Sequence, residues 1–189
     1  MRLLSAFAIS RRRLAKRMRT HGKNGSAAIE FAMVAPVLFL FLFGIIETGI
    51  IFFAASMLQN ATSDAARQIR TGQLSGTITA AQIRTAVCAE VDGLINDCTT
   101  GLQVDMRSYS NFGAASYPSV TKADGSVDTT KLQVQSAADC SIVLLRTFYG
   151  WSIMTPLMTP LLQSGSSGKA LLTSSAAFRT EPYTSSSVC

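Results

Sequence analysis

The sequence predicts an α+β protein: a long N-terminal helix, apolar enough for a membrane, that continues into a small domain with a short antiparallel sheet packed on helices. Three observations predict it. Positive charge gathers ahead of an uncharged stretch from Phe31 to Ile46. A helical period of apolar residues carries that stretch onward to Ile69, and a capped second helix follows. Beyond it, apolar runs of strand character alternate with Ser- and Gly-rich connections. With 48% hydrophobic and 15% charged residues among 189, the chain is too apolar for disorder. It also lacks the Gly-X-Y or heptad repeats of a fibrous protein.

Residues 1–25 form a basic leader holding Arg2, Arg11, Arg12, Arg13, Lys16, Arg17, Arg19 and Lys23, and no acid. The other 164 residues carry nine cations against eleven acids, so the net charge of +6 belongs to the leader. Without aromatic interleaving, and with an apolar stretch directly behind it, the leader suits anchoring rather than nucleic-acid binding. His21, the only histidine, also lies there, which removes His-based catalysis and His-ligated metal from the rest of the chain.

Residues 26–57 are the expected transmembrane region. Phe31–Phe53 spans 23 residues, roughly 35 Å of helix against a hydrocarbon core of about 30 Å. The positive-inside rule puts the leader in the cytoplasm and the residues after 57 across the membrane. A cleaved secretory signal is the competing reading. Its site would fall near Ala54-Ala55-Ser56, but its apolar core would be shorter than this one.

At the junction, Gly25-Ser26-Ala27-Ala28-Ile29-Glu30-Phe31 sets a glycine, small and apolar residues, a lone carboxylate and an aromatic in a fixed order. A carboxylate at the membrane end of a helix reads as functional when a partner exists for it. The plainer account is an interfacial Glu favoured by the helix dipole. Glu47 lies deeper, toward the far leaflet, within reach of the interface or of a partner helix. Gly44 and Thr48 form a small-xxx-small pair nearby.

Residues 58–72 predict a helical stem, with Leu58, Ala61, Ala65 and Ile69 on one face and Gly72 at the C′ position. The helix would then run from Ile29 to Thr71, about 65 Å. Residues 73–189 form the expected α+β domain. Thr79 and Gln82 fit a capping box, ahead of a stripe of Ile83, Val87, Val91 and Leu94. Leu102, Val104 and Met106 alternate with Gln103, Asp105 and Arg107 as a half-buried strand. Ile142–Tyr149 suits a central strand and Ala170–Phe178 a third. Residues 111–139 are expected to be a long surface loop. Phe148, Tyr149, Trp151, Met154, Pro156, Leu157, Met158 and Pro160 cluster as core filling beside a turn, or as an apolar docking surface.

Cys88, Cys98, Cys140 and Cys189 all follow the span, where an oxidising compartment favours disulfides. Of three connectivities, Cys88–Cys98 with Cys140–Cys189 is expected. The first pair joins the end of the second helix to the entry of the first strand. The second ties Cys189 to the start of the central strand. The spacing matches no zinc site and no redox C-x-x-C, and neither metal nor cofactor is expected.

G-x-x-x-x-E-[Y/F] after a basic leader resembles the processing site of type IV prepilins. The segment GSAAIEFAMVAPVLFLFLFGIIETGIIFFAASMLQNATSDAARQIRTGQ resembles the TadE/TadG-like proteins of the tight-adherence (Flp-type) pilus machinery. VCAEVDGLINDC, LQVDMRSYSNF and AAFRTEP extend the likeness, while residues 111–139 add nothing to it. Major Flp pilins carry Glu-Tyr and are far shorter, whereas Phe31 follows Glu30 here, so the resemblance is to a pilin-like accessory protein. It implies cleavage by a prepilin peptidase between Gly25 and Ser26, making Glu30 the fifth mature residue. In assembly, Glu30 would offset a neighbouring subunit's α-amino charge, with Glu47 a second assembly residue. The implied partners are the inner membrane, the peptidase, other pilin-like subunits and pilus assembly proteins, with no nucleic acid. The implied setting is a bacterial inner membrane with a periplasmic domain that supports adhesion and biofilm formation. An unprocessed bitopic scaffold of a periplasmic machine is the alternative. An enzyme is disfavoured, for want of His and of a Gly-rich phosphate loop.

Overall fold

The computed structural model describes residues 3–74, 77–91, 93–95, 97–182 and 189, with side chains from Gly25 onward. The leader's cations up to Lys23 therefore lie outside the described side chains. The chain forms two compact units, Met1–Ile45 and Ile46–Cys189, and helix α1 (Leu3–Arg70) contributes to both. This helix begins earlier than the expected Ile29, because the Leu, Ala, Arg and Lys of the leader are strong helix formers. The part from Gly25 to Arg70 is long and apolar enough to cross a membrane.

The C-terminus of α1 closes as a Schellman motif. Gly72 takes a φ of 73°, Gln73 N–H donates to the Gln68 carbonyl at 2.9 Å, and Gly72 N–H to that of Ile69 at 3.1 Å. Before this end, Ala54, Leu58, Ala61, Ala65 and Ile69 recur every three or four residues and are buried. Helix α2 (Ala80–Glu90) starts with the expected reciprocal Thr79–Gln82 capping box. It buries Ile83 and Val87 in the core to which the α1 stripe also belongs. A single turn, α3 (Cys98–Gly101), leads into the sheet.

The sheet is antiparallel in the order β1 (Gln103–Tyr109), β2 (Ile142–Ser152), β3 (Lys169–Arg179). Its central strand β2 is apolar on both faces and requires cover on both. On one face Val143 and Leu145, with Val104 and Met106 of β1, join the α1 and α2 core. Thr62 Oγ1 of α1 lies 2.7 Å from Thr147 Oγ1 of β2, and Gln59 reaches the Ser174 hydroxyl of β3 at 2.8 Å.

Segment 111–139, though largely exposed, also covers part of the other face. Ile142, Leu144, Arg146 and Phe148 on that face are buried, and the segment contributes a buried Val120 of its own. Gln133–Gln135 also brackets the edge of β1. Met106 N–H donates to the Gln133 carbonyl at 2.7 Å, and Gln135 N–H to the Met106 carbonyl at 3.0 Å. Gly125, at φ +81°, lies so close to the β2–β3 connection that a Cβ would fall 2.0 Å from the Ser164 carbonyl oxygen.

Cys88 is bonded to Cys98 and Cys140 to Cys189, with Cα separations of 5.7 and 5.3 Å. Trypsin has no site between Thr85 and Arg107, so both members of the first pair fall in one peptide. A non-reducing digest is expected to give that peptide two hydrogens lighter than its reduced form, and peptide 132–146 joined to 180–189. A Cys98–Cys140 cross-linked peptide would contradict this pairing.

Candidate functional site

In the unit Met1–Ile45, Gly25, Ser26, Glu30 and Phe31 are all exposed and all helical. Four residues apart, Ser26 and Glu30 share a helix face, and Ser26 Oγ donates to Glu30 Oε1 at 3.1 Å. No other group lies within 4 Å of where a Gly25 Cβ would be. The carboxylate is therefore presented outward, held only by a weak bond from its own turn. Phe39 and Phe43, with ring centroids 6.1 Å apart, belong to the outward apolar surface of the same helix.

Glu47, in the unit Ile46–Cys189, is placed differently. Spacings of four, three and four connect Glu47, Ile51, Ala54 and Leu58, so it stands on the stripe that packs against the domain. It is 2% exposed. Its two carboxylate oxygens accept from the backbone N–H groups of Met154 and Thr155, the latter at 3.0 Å. Within this chain the carboxylate is thus paired with the turn after β2, which supplies both donors.

A third acidic residue, Asp105, is fully buried although strand alternation assigned it to the polar side. It faces Arg146 across the β1–β2 ladder. Arg146, 3% exposed, donates to Asp105 Oδ2 from Nη2 at 2.7 Å and from Nε at 3.1 Å. Its Nη1 reaches the Pro118 carbonyl at 2.9 Å, and its guanidinium lies over the rings of Tyr117 and Phe148. Arg107 Nε donates to the same carboxylate at 3.0 Å, as does Gln133 N–H at 2.9 Å. Burial pushes the Asp105 carboxyl up, but the bonds from Arg107, Arg146 and Gln133, with the Arg146 charge, outweigh it and hold the pKa below the ordinary aspartate value. This network fastens segment 111–139 to the sheet. Sequence reasoning missed it, although Arg146 is the only charge in an otherwise apolar strand and so required a buried acid opposite.

Beside it, Phe148 is buried and Tyr149 and Trp151 half-buried, as core filling requires, whereas Met154 and Leu157 face outward. Among the described residues no group of three or more His, Cys, Asp or Glu is placed to hold a metal.

A transmembrane-capable helix bearing a small disulfide-bonded α+β domain is the class that this geometry defines. Within it, residues 25–67 match the family model described as TadE-like protein. The match opens at Gly25 and includes Glu30, Phe31 and Glu47; it ends within the α1 stripe, short of the segments after α1 in which the sequence also suggested a likeness. Over that segment the chain is similar to TadE-like proteins. No curated protein and no solved structure matches the chain.

Proposed function

We propose that the chain is a membrane-anchored, pilin-like accessory protein of a Flp/Tad-type pilus. A prepilin peptidase cuts it between Gly25 and Ser26, and it then acts by packing against other pilin-like subunits, not by catalysis. Adhesion and biofilm formation follow from the pilus it supports. The observation that carries this reading is the TadE-like segment opening at Gly25, five residues before an outward-facing Glu30. The leader stays in the cytoplasm, the helix in the inner membrane and the domain in the periplasm. Two disulfides in the domain support that placement, since such bonds persist in oxidising compartments.

For cleavage the helix must open locally. Gly22, Asn24 and Gly25 make that inexpensive, each glycine weakening a helix by about 1 kcal/mol relative to alanine. Glu30 acts after the cut, where its charge in lipid is matched by the new α-amino group of a neighbouring subunit. Glu47 contributes to assembly indirectly, by holding the domain's own turn.

The test is an immunoblot for leader size beside a count of pili. Gly25→Val is expected to leave all of the protein uncut, 25 residues longer than the mature form. Glu30→Ala is expected to be cut normally and to abolish piliation. Normal piliation with processed Glu30→Ala would show the carboxylate to be merely interfacial. An intact leader in the unmodified protein, in cells with active peptidase, would favour the bitopic scaffold.

A further inference from the structure

Between Arg146 and Lys169 the chain carries no charged residue for 22 positions. This run ends strand β2 and forms the β2–β3 connection, whose helical turns Pro156–Met158 and α4 (Thr159–Leu162) hold apolar side chains outward. Met154 is 66%, Leu157 73% and Leu161 77% exposed. Among the described residues of the unit Ile46–Cys189, no other large apolar side chain is as exposed as the two leucines. A protein surface in water does not normally gather such residues.

The place of the connection on the helix accounts for them. Its first residues are fixed to Glu47 through the Met154 and Thr155 N–H groups. Glu47 precedes Phe53 by six residues, roughly 9 Å along α1. Phe52 and Phe53 are themselves outward-facing and exposed. The connection therefore reaches a level inside the apolar stretch of the helix, on the same unit as two lipid-compatible phenylalanines.

We propose that the β2–β3 connection inserts into the membrane boundary on the domain's side, with Met154, Leu157 and Leu161 among the upper acyl chains. This rests on reading Phe31–Phe53 as a membrane span. Lipid is the occupant because the connection is fixed at Glu47, inside the apolar stretch of the helix, with no charge in the connection to keep it in water. Backbone N–H groups at that depth need an acceptor, which water does not supply. Glu47 supplies it, and its own charge is met by the same two donors. The domain thus has a second membrane contact, which does not span and which fixes its height above the bilayer.

The test uses the full chain in two sets of phosphatidylethanolamine–phosphatidylglycerol vesicles, one with lipids brominated on the upper acyl carbons and one with lipids brominated deep in the chains. Trp151 is the only tryptophan, so Trp151→Phe provides a silent background for single reporters: Leu157→Trp, Leu161→Trp, Phe112→Trp and Phe39→Trp. At the burial depth of roughly 5–10 Å usual for interfacial segments, both leucine reporters are expected to lose emission about twofold. Phe112→Trp, on segment 111–139, should be unchanged, and Phe39→Trp quenched most by deep bromines. Leucine reporters no more quenched than Phe112→Trp, with Phe39→Trp quenched, would overturn the insertion and leave the anchor standing. Failure to quench any reporter would remove the anchor as well. Shielding of the leucine reporters that appears only as protein density rises would identify a second copy as the occupant, and would also overturn the proposal.

Discussion

Asp105→Asn is expected to lower stability by roughly 3–5 kcal/mol, the cost of leaving a buried guanidinium without its counter-charge. Arg146 has no route to water at 3% exposure, and its remaining polar contact is the Pro118 carbonyl. Arg107 is less constrained and can turn outward. The double substitution Asp105→Leu with Arg146→Met should lose less than the single one. It removes both buried charges, so no buried guanidinium is left uncompensated. The groups it orphans, the Gln133 N–H and the Pro118 carbonyl, are neutral, while Arg107 keeps its bond to the Lys131 carbonyl. Urea unfolding of the full chain in mild detergent, followed by Trp151 emission, measures both. Acid gives an independent check. The folded carboxyl is held below its unfolded value of about 3.9. Its contribution is therefore complete above about pH 4 and lost as pH falls through the folded pKa. Asp105→Asn should lose this part of the acid sensitivity. A variant as stable as the parent at neutral pH would show that the pair is not a closure of segment 111–139.

Cys140→Ser with Cys189→Ser is expected to cost about 4 kcal/mol, and the Cys88–Cys98 counterpart about 3, from the entropy of the loops they close. The sequence separations are 49 and 10 residues. The longer bridge has local support: Arg179 donates to the Cys140 carbonyl at 3.2 Å, and Thr180 Oγ1 to that of Ala138 at 2.6 Å. These bonds hold the strand end after the bridge is lost, so unfolding should remain a single transition at lower urea. A midpoint unchanged on removing Cys140–Cys189 would mean that the unfolded chain is already restricted there.

The elements that were legible in the sequence are those whose signal is local. Thr79 and Gln82 announce α2, Gly72 ends α1, and Leu58 to Ile69 repeat with the helical period. Three strands are recognisable from apolar runs. What was hidden depends on pairing across long distances. Asp105 reads as a polar-face residue until the register sets it opposite Arg146, and segment 111–139 reads as loop until those charges need cover. Glu47 was partly legible: its spacing to Ile51, Ala54 and Leu58 continues the packing stripe, but its donors lie more than a hundred residues away.

That stripe on α1 also dictates an order of events during biogenesis. Thr62 meets Thr147 at a sequence separation of 85, and Gln59 meets Ser174 at 115. The partners of the helix are thus the last strands to leave the ribosome. At about 5–20 residues per second, the apolar face from Ala54 to Ile69 waits roughly 4–23 s for its sheet. A topology so rich in distant contacts also folds slowly once complete. During that interval the nascent domain exposes an amphipathic helix face that must be sheltered from other apolar surfaces. The step most vulnerable to aggregation is therefore the arrival of β2 and β3, and slowing translation after β1 should lengthen the exposure.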